Sequence, residues 1–363
     1  MKEIKKTGIL TFHCVENYGA VLQCLALQEA LKPYFGSVEV IDYCPEYLLR
    51  DYKAINTYSI KSRIMSLYSL LPFLKKKTGF KRFVKKHLNV SDRKFSAVSD
   101  ITDIDFDVLF VGSDQIWNSK ITDGYDPVFF GKLPGCKNKK VVSYAASLGQ
   151  YQLSEEEKCE FFELLENVDS ISVREDEGVE LISSNAGRAV KLVIDPTLLV
   201  DEAFWNKLKC KKKPKEEYVL IYNLTGAPEL FEIADAVSEK RGIKIIEING
   251  RRKSLVKKKH KTIYSASPQE FIDLISNASY VVTDSFHGTA FSIIFKKNFT
   301  VIPHKTRGGR MKTLLEMLGL ENRLSCIADE KILSDTVDYI AVDKKLSELR
   351  EKSRTFIINS IKE

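Results

Sequence analysis

The stretch VVTDSFHGTAFSIIFKK (281–297) decides the fold, because it contains a complete strand-to-helix turn. Its β-branched residues are typical of a buried strand, and Asp284 or Ser285 is placed to cap the helix that follows. Apolar residues then recur at helical spacing. His287 falls in the first turn of that helix, where free backbone N–H groups favour an anion. The stretch predicts an α/β sheet with a binding site at a strand end.

The same alternation of strand and helix patterns extends along almost the whole chain. Short apolar runs such as TGILTFH (7–13), FDVLFVG (105–112) and YVLIYNLTG (218–226) are separated by amphipathic helical patterns. Strands that alternate with helices indicate parallel sheets covered by helices on both faces. The sequence therefore predicts the α/β class.

The length of 363 residues corresponds to about two domains. We predict a first Rossmann-like domain over 1–200, with a basic helical insertion around 52–95. The second Rossmann-like domain is predicted over 201–340. A C-terminal helix over 341–363 is expected to return to the first domain, because it carries an apolar stripe and follows a complete second domain.

Composition excludes several classes of protein. With 44% hydrophobic and 29% charged residues, the chain is neither disordered, fibrous nor a coiled coil. The net charge of +7 is uneven, since segments 75–86 and 251–261 each contain seven Lys or Arg and no acid. Such patches suit nucleic acid, anionic lipid or a phosphorylated substrate. The remainder is mildly acidic, and we expect no nucleic-acid partner.

Cysteine and histidine patterns give no sign of a metal site. The seven cysteines are scattered without a CxxC pair, and the five histidines show neither HxxxH nor HxH spacing. Dinucleotide, P-loop, kinase and GxSxG signatures are also missing. We expect no metal and no organic cofactor. The short apolar runs contain neither a signal peptide nor a membrane span, which predicts a reducing cytoplasm.

Two strand ends in the first half offer polar groups for a ligand. In CVENYGAVLQ (14–23), Asn17 tolerates a left-handed backbone and Gly19 lets a ligand approach the helix start. Ser113 and Asp114 follow another apolar strand, where ligands bind in open α/β sheets, and Trp117 is suited to stack on a sugar. An ordinary tight turn and a core tryptophan are the alternative interpretations.

Two arginines are candidates for anion binding. Arg174 ends the strand in SVREDEG (172–178), and its planar guanidinium suits a carboxylate or a phosphate. Its alternative role is a surface ion pair with Glu175 or Asp176. Downstream, TRGGRMKTLL (306–315) places Arg307 and Arg310 around two glycines, which is typical of an anion-binding loop, and an ordinary loop is the alternative interpretation.

Six stretches taken together resemble the polysaccharide pyruvyl transferase family. They are NYGAVLQ, VGSDQIWN, YAASLG, SVRE, VIDPTLL and VVTDSFHGTAFSIIFKKNFTVIP, in this order between about residues 8 and 320. The strongest is the last, in which a strand leads through S-x-x-H into a helix with small residues. Many family members have a glycine–acidic pair after the first strand, and this chain has Asn17-Tyr18-Gly19 there.

The resemblance implies a glycosyltransferase-B-like architecture, in which two Rossmann-like domains face each other across a cleft. It implies phosphoenolpyruvate as donor and a sugar with two hydroxyls as acceptor, on a glycan or lipid-linked oligosaccharide. The product would be a pyruvate ketal on a capsule, exopolysaccharide or cell-wall glycan. The basic segment 75–86 is then expected to lie near an anionic lipid surface at the inner face of the membrane, with Phe80 and Phe83 at the interface, or near the diphosphate of a lipid-linked acceptor. A solvated basic face is the alternative interpretation.

The resemblance also implies roles for individual residues. His287 and Arg174 match the donor-site histidine and arginine of the family, and His287 suits a general acid because it titrates near neutrality. Asp114 is the candidate base for the acceptor hydroxyl. The remaining assignments are Ser285, Phe286, Gly288 and Arg310 for the donor, and Asn17, Gly19, Ser113, Gln115 and Trp117 for the acceptor.

Two other functions remain open at the level of sequence. A nucleotide-sugar-dependent glycosyltransferase of the same fold would need an acidic residue to hold a ribose, and Glu316 lies in that region of the second domain. A non-catalytic sugar-binding protein of capsule assembly would release no phosphate. It would also tolerate replacement of His287.

Overall fold

A computed structural model represents the 363-residue chain. It describes residues 6–52, 60–101, 104–134, 139–149, 152–210, 216–250, 259–303, 309–329, 333–334 and 336–362. For residue 51 and residues 60–69, the description covers the backbone alone. Most of the basic segment 251–261, and Arg307 in the glycine-containing loop, lie outside the described residues.

Five parallel strands form the first sheet, and two shorter ones continue its edge. They are β1 (Lys6–Leu10), β2 (Ser37–Tyr43), β3 (Val90–Phe95), β4 (Val108–Val111), β5 (Lys140–Ser143), β6 (Ile171–Val173) and β7 (Val190–Leu192). The strand order is β3-β2-β1-β4-β5, and β6 pairs with β7. A bridge between Val142 and Ser170 links the pair to β5.

The second sheet repeats the arrangement of the first. Its strands are β8 (Tyr218–Asn223), β9 (Lys244–Asn249), β10 (Lys261–Ile263), β11 (Tyr280–Thr283) and β12 (Phe299–Val301). They are parallel in the order β10-β9-β8-β11-β12. Strands β4, β8 and β11 are buried along their whole length, as expected for a sheet covered on both faces. The predicted α/β class is confirmed.

Helices connect the strands, and polar side chains begin several of them. Asn17 accepts hydrogen bonds from the first turn of the opening helix, and Ser267 forms a capping box with Glu270. The helices are α1 (Tyr18–Leu31), α2 (Glu46–Leu49), α3 (Ile60–His87), α4 (Ser119–Thr122), α5 (Glu155–Leu165), α6 (Asp176–Ala186), α7 (Pro196–Leu199), α8 (Glu202–Lys207), α9 (Pro228–Arg241), α10 (Pro268–Ser276), α11 (Phe286–Ile294), α12 (Gly309–Leu318) and α13 (Tyr339–Lys362). Short 3₁₀ turns cover Arg50–Tyr52, Val98–Asp100, Pro127–Phe130 and Glu321–Arg323.

The region 52–95 differs from the predicted helical insertion at its C-terminal end. Helix α3 stops at His87, and the following residues form the edge strand β3, whose Val90 pairs with Val40 of β2. Strand β3 carries charged, exposed side chains and buries only Phe95. Charges are a common protection of an edge strand, and here they conceal the strand pattern in the sequence.

The two sheets are joined by a shared apolar core. The ring of Tyr18 on α1 stacks on Phe271 of α10, with centroids 4.5 Å apart. The Tyr18 hydroxyl donates a hydrogen bond to the carbonyl of Ala266 at 2.8 Å. Gly79 of α3 lies against Ser267, where a Cβ would come within 2.9 Å of the serine Cβ. Helices of the first half therefore pack directly on the start of α10.

The C-terminal helix α13 contacts residues of both halves. Near its start, Tyr339 donates hydrogen bonds to the carbonyls of Ser292 and Lys297 in the second half. Further along, Arg350 Nε donates to the Leu198 carbonyl at 2.6 Å, and Ser353 accepts a hydrogen bond from Ile194 N. The helix thus bridges α11 and the segment around α7.

Two aromatic residues on which the expected membrane role of segment 75–86 depends are buried. Phe80 and Phe83 are only 3% and 2% exposed and belong to the core, so the prediction that they lie at a membrane interface is wrong. A helical pattern with interspersed aromatic residues does not reveal which face is buried. Among the described helices, none combines the length and the hydropathy that a membrane crossing requires.

Candidate functional site

The site is built where both sheets reverse their strand order. In each sheet the first strand lies between the second and the fourth, so a crevice opens beyond the carboxyl ends of the central strands. A cavity of about 550 Å³ lies there, and we name it the cleft cavity. It is lined from both halves of the chain. Seven predicted site residues line it: Asn17, Asp114, Gln115, Ser285, Phe286, His287 and Arg310.

His287 occupies the predicted position in the first turn of α11. Ser285 caps this helix by accepting a hydrogen bond from Gly288 N at 3.3 Å. Gly288 fits tightly over Thr283, since a Cβ there would lie 2.3 Å from the threonine Oγ1. These local constraints fix the direction of the His287 side chain, which is 7% exposed.

The first loop of the chain touches the His287 ring. Asn17 accepts hydrogen bonds from Gly19 N and Ala20 N, which starts α1 at this point. A Cβ on Gly19 would lie 2.0 Å from His287 Nδ1, which is far inside van der Waals contact. Gly19 is thus placed to admit the histidine, and it does not line the cleft cavity.

Arg174 lies at the centre of a buried ion cluster. Its side chain is 1% exposed and lies 2.6 Å from Asp195 Oδ2, 3.4 Å from Asp114 Oδ1 and 3.5 Å from Glu175 Oε1. The guanidinium carbon is 4.6 Å from the centre of the Phe286 ring. Burial acts to lower the pKa of Arg174, but the three carboxylates outweigh it and raise that pKa above its usual value. Arg174 does not line the cleft cavity.

Asp195 connects Arg174 to His287, and the sequence analysis did not assign it a role. Its Oδ2 lies 3.8 Å from His287 Nε2 and accepts a hydrogen bond from Ser113 Oγ at 3.1 Å. Its Oδ1 accepts from the backbone and hydroxyl of Thr197. Burial acts to raise the pKa of Asp195, and its interactions with His287, Arg174 and Thr197 bring that pKa below its usual value.

The environment of His287 favours the neutral ring. Burial lowers its pKa, Asp195 and Asp114 oppose this change, and Arg174 and Arg310 reinforce it. Within the described residues, Nε2 is buried and makes no hydrogen bond, since Asp195 is beyond hydrogen-bond distance. A histidine with a lowered pKa donates its proton more readily than an ordinary one.

Three of the predicted acceptor residues do not line the cleft cavity: Gly19, Ser113 and Trp117. Trp117 is fully buried, stacks on Phe130 and donates a hydrogen bond from its indole to the Phe129 carbonyl. The prediction that it stacks on a sugar is therefore wrong, because neither face is accessible. Ser113 is also fully buried, and it supports Asp195. Tryptophan and serine occur both in the core and at the surface, and the local sequence does not show which position Trp117 and Ser113 take.

Asp114 has an unusual backbone for a residue with a side chain. Its φ of 70° lies in the left-handed region, and its Oδ1 accepts a hydrogen bond from Gln115 N at 2.9 Å. Such conformations cost free energy and are frequent at functional sites. The conformation accompanies a side chain that faces both the cleft cavity and Arg174.

Other acidic residues serve structural roles. Asp284 accepts hydrogen bonds from Leu224 N and Thr225 N, which fixes the loop after β8 on the rim of the cleft. Glu316 forms an ion pair with Lys312 on α12 and does not line the cleft cavity. Within the residues that the structure describes, no three His, Cys, Asp or Glu side chains form a group able to hold a metal ion.

Solved structures with a similar fold are two-domain α/β proteins. The UDP-GlcNAc 2-epimerase from Neisseria meningitidis bound to UDP-GlcNAc is 11% identical, with 99% of each chain covered and a TM-score of 0.53. S. aureus MnaA with UDP is also 11% identical, with 99% of this chain and 96% of that chain covered and a TM-score of 0.51. Two Rossmann-like domains that face a cleft define a glycosyltransferase-B-like fold.

The family follows from the sequence itself. A model of the family described as polysaccharide pyruvyl transferase matches residues 17–306, which is most of the chain. The protein therefore belongs to the polysaccharide pyruvyl transferase family, and it is a transferase. No curated protein matches this chain.

Proposed function

We propose that this protein transfers the pyruvyl group of phosphoenolpyruvate to two hydroxyls of a sugar. The reaction forms a cyclic pyruvate ketal on a glycan precursor, of the kind used for a capsule, exopolysaccharide or cell wall, and releases phosphate. The observation that carries the proposal is the position of His287. It opens a helix at the cleft of a chain that belongs to the pyruvyl transferase family.

The chemistry needs one acid at the donor. The methylene carbon of phosphoenolpyruvate takes a proton from the imidazolium of His287, and positive charge develops at the central carbon. The first sugar hydroxyl adds to that carbon, and its proton passes to a base. Phosphate then leaves, and the second hydroxyl adds and loses its proton as the ring closes. One proton ends on the new methyl group and the other on phosphate or solvent.

Anion binding in the cleft falls to Arg310 and the start of α11. Arg310 lines the cleft cavity, and its guanidinium carbon lies 5.9 Å from the centre of the Phe286 ring. The helix start presents backbone N–H groups beside His287. Arg174 lies behind the wall of the cleft cavity, where it is paired with carboxylates. We therefore assign it a positioning role, through its contacts with Asp195 and Phe286, in place of the direct donor contact that the sequence predicted.

Asp114 is the proposed base on the acceptor side. It lines the cleft cavity from the first half of the chain, while His287 lines it from the second half. Its Oδ1 lies 3.4 Å from Arg174 Nη2, which holds the carboxylate in place beside the cleft. Asn17 and Gln115 line the same side and supply polar groups for sugar hydroxyls.

Phosphate release from phosphoenolpyruvate, in the presence of galactoside and N-acetylmannosamine acceptors, tests the proposal. We expect phosphate release that depends on an acceptor, with a ketal product seen by mass spectrometry. His287→Ala should lower turnover by about 10²–10⁴-fold, the usual contribution of a positioned acid or base. His87→Gln is the matched control, because His87 lies on α3 and does not line the cleft cavity. Transfer from a nucleotide sugar in place of phosphoenolpyruvate would overturn the proposal.

A further inference from the structure

We propose that a second cavity next to the cleft binds the phosphate or diphosphate group of an anionic acceptor. This inference rests on the proposed function, because it identifies a property of the acceptor. The cavity has a volume of about 850 Å³ and is lined by α3, β3 and the loops after β1 and β2. We name it the lysine cavity, after Lys77, Lys81, Lys85 and Lys94 on its wall.

The lysines are arranged as a row and not as a scattered surface charge. Lys77, Lys81 and Lys85 are four residues apart on α3, so they share one face of the helix. At a rise of about 1.5 Å per residue, the row is about 12 Å long, which suits a glycosyl diphosphate. Lys94 adds a fourth ammonium from β3. Strand and helix thus supply cations to the same cavity.

Four lysines and three acids, Glu16, Asp42 and Glu46, line the lysine cavity. Asp42 is hydrogen-bonded to His13 Nε2 at 3.0 Å. Burial raises the pKa of Glu16, and the nearby charges of Lys77 and Lys76 oppose that shift. Within the described part of the chain, Lys81, Lys85 and Lys94 form no ion pair. Ammonium groups that outnumber the carboxylates on a concave wall attract a polyvalent anion.

The lysine cavity adjoins the cleft cavity, because Val15 and Tyr52 line both of them. The partly buried Val84 adds apolar surface beside the lysines. A sugar whose hydroxyls lie in the cleft can therefore place its anionic group on the lysine row, with apolar surface available to the part of the ligand between them.

Binding of inorganic pyrophosphate, measured by calorimetry at low ionic strength, tests the inference. We expect the double variant Lys81→Gln/Lys85→Gln to bind pyrophosphate at least about tenfold more weakly, because two charge-assisted contacts are lost. The matched control is Arg82→Gln/Lys86→Gln, which removes the same charge from the same helix outside the cavity. It should change binding less than twofold. Lys94→Gln should weaken binding without altering α3.

Several outcomes would overturn the inference. They are an equal loss in both double variants, no binding of pyrophosphate, or binding that is unaffected by Lys81→Gln/Lys85→Gln. Vesicles with 30% anionic phospholipid distinguish a membrane surface from a discrete ligand. If the variant lowers vesicle binding and leaves pyrophosphate binding intact, the lysines serve a membrane and the inference fails. Because this assay contains no phosphoenolpyruvate, its failure is separable from failure of the proposed function.

Discussion

Replacing Gly19 by alanine should displace the candidate acid without removing any chemical group. The new Cβ would lie 2.0 Å from His287 Nδ1, and ordinary contact begins near 3.4 Å. The ring and α1 must therefore separate by about a further 1.4 Å, and a misplacement of about 1 Å can cost 10²-fold in rate. We expect turnover to fall by about that factor, and the overpacking to cost about 1–3 kcal/mol in the free energy of unfolding.

The assay is turnover of phosphoenolpyruvate together with urea denaturation of the same proteins. Gly178→Ala is the matched control, since Gly178 also lies in the first turn of a helix and its Cβ would meet Val173 at 3.3 Å. This control should retain near-normal turnover. A double variant with His287→Ala isolates the contact, because removing the ring should abolish the stability cost of Gly19→Ala. Normal turnover in Gly19→Ala, or an unchanged cost in the double variant, would refute the reasoning.

Three further predictions follow from the ion cluster, from His287 and from α13. Asp195→Asn removes one of the carboxylates that hold Arg174, and it should lower the free energy of unfolding by about 3–5 kcal/mol in urea denaturation. Because the acid must be protonated and burial lowers the pKa of His287, kcat/KM should fall with rising pH at a lower pH than an ordinary histidine gives. Asp195→Asn should move this fall in kcat/KM to still lower pH, since Asp195 raises the pKa of His287. An unchanged pH profile would contradict the proposed coupling of Asp195 to His287. Arg350→Ala removes hydrogen bonds from α13 to the carbonyls near α7, and should cost about 1–3 kcal/mol in the same denaturation while the donor KM stays unchanged.

The fold could be predicted from sequence wherever the local pattern and the final burial agree. Strand β11 and helix α11 are examples, because the β-branched run, the capping Ser285 and the helical spacing act within twenty residues. Strand β3 could not be predicted in this way. Its charged side chains protect an edge strand from pairing with other chains. That β3 lies at the edge is determined by its pairing with β2, which the local sequence does not reveal.

The candidate site was only partly predictable for a related reason. His287 and Asp114 were found because each follows a strand, where the topology places ligands. Asp195 was missed, since an acid before Pro196 is also an ordinary helix cap, and it does cap α7. Its second role depends on Arg174 and His287, which are distant in sequence and meet only in the folded chain. Trp117 shows the opposite error, because exposure was assumed from its position after a strand.

The acid strength of His287 depends on the contact between the two halves of the chain. The histidine belongs to the second half, and Gly19, Asp114, Arg174 and Asp195 around it belong to the first. Burial is the largest cause of its lowered pKa, so the packing that encloses the ring also makes it a readier proton donor. Substitutions at Gly19 and Asp195 should therefore act on one quantity by different routes. Gly19→Ala changes the enclosure and Asp195→Asn changes the charge, so the two variants should shift the pH dependence of turnover in opposite directions.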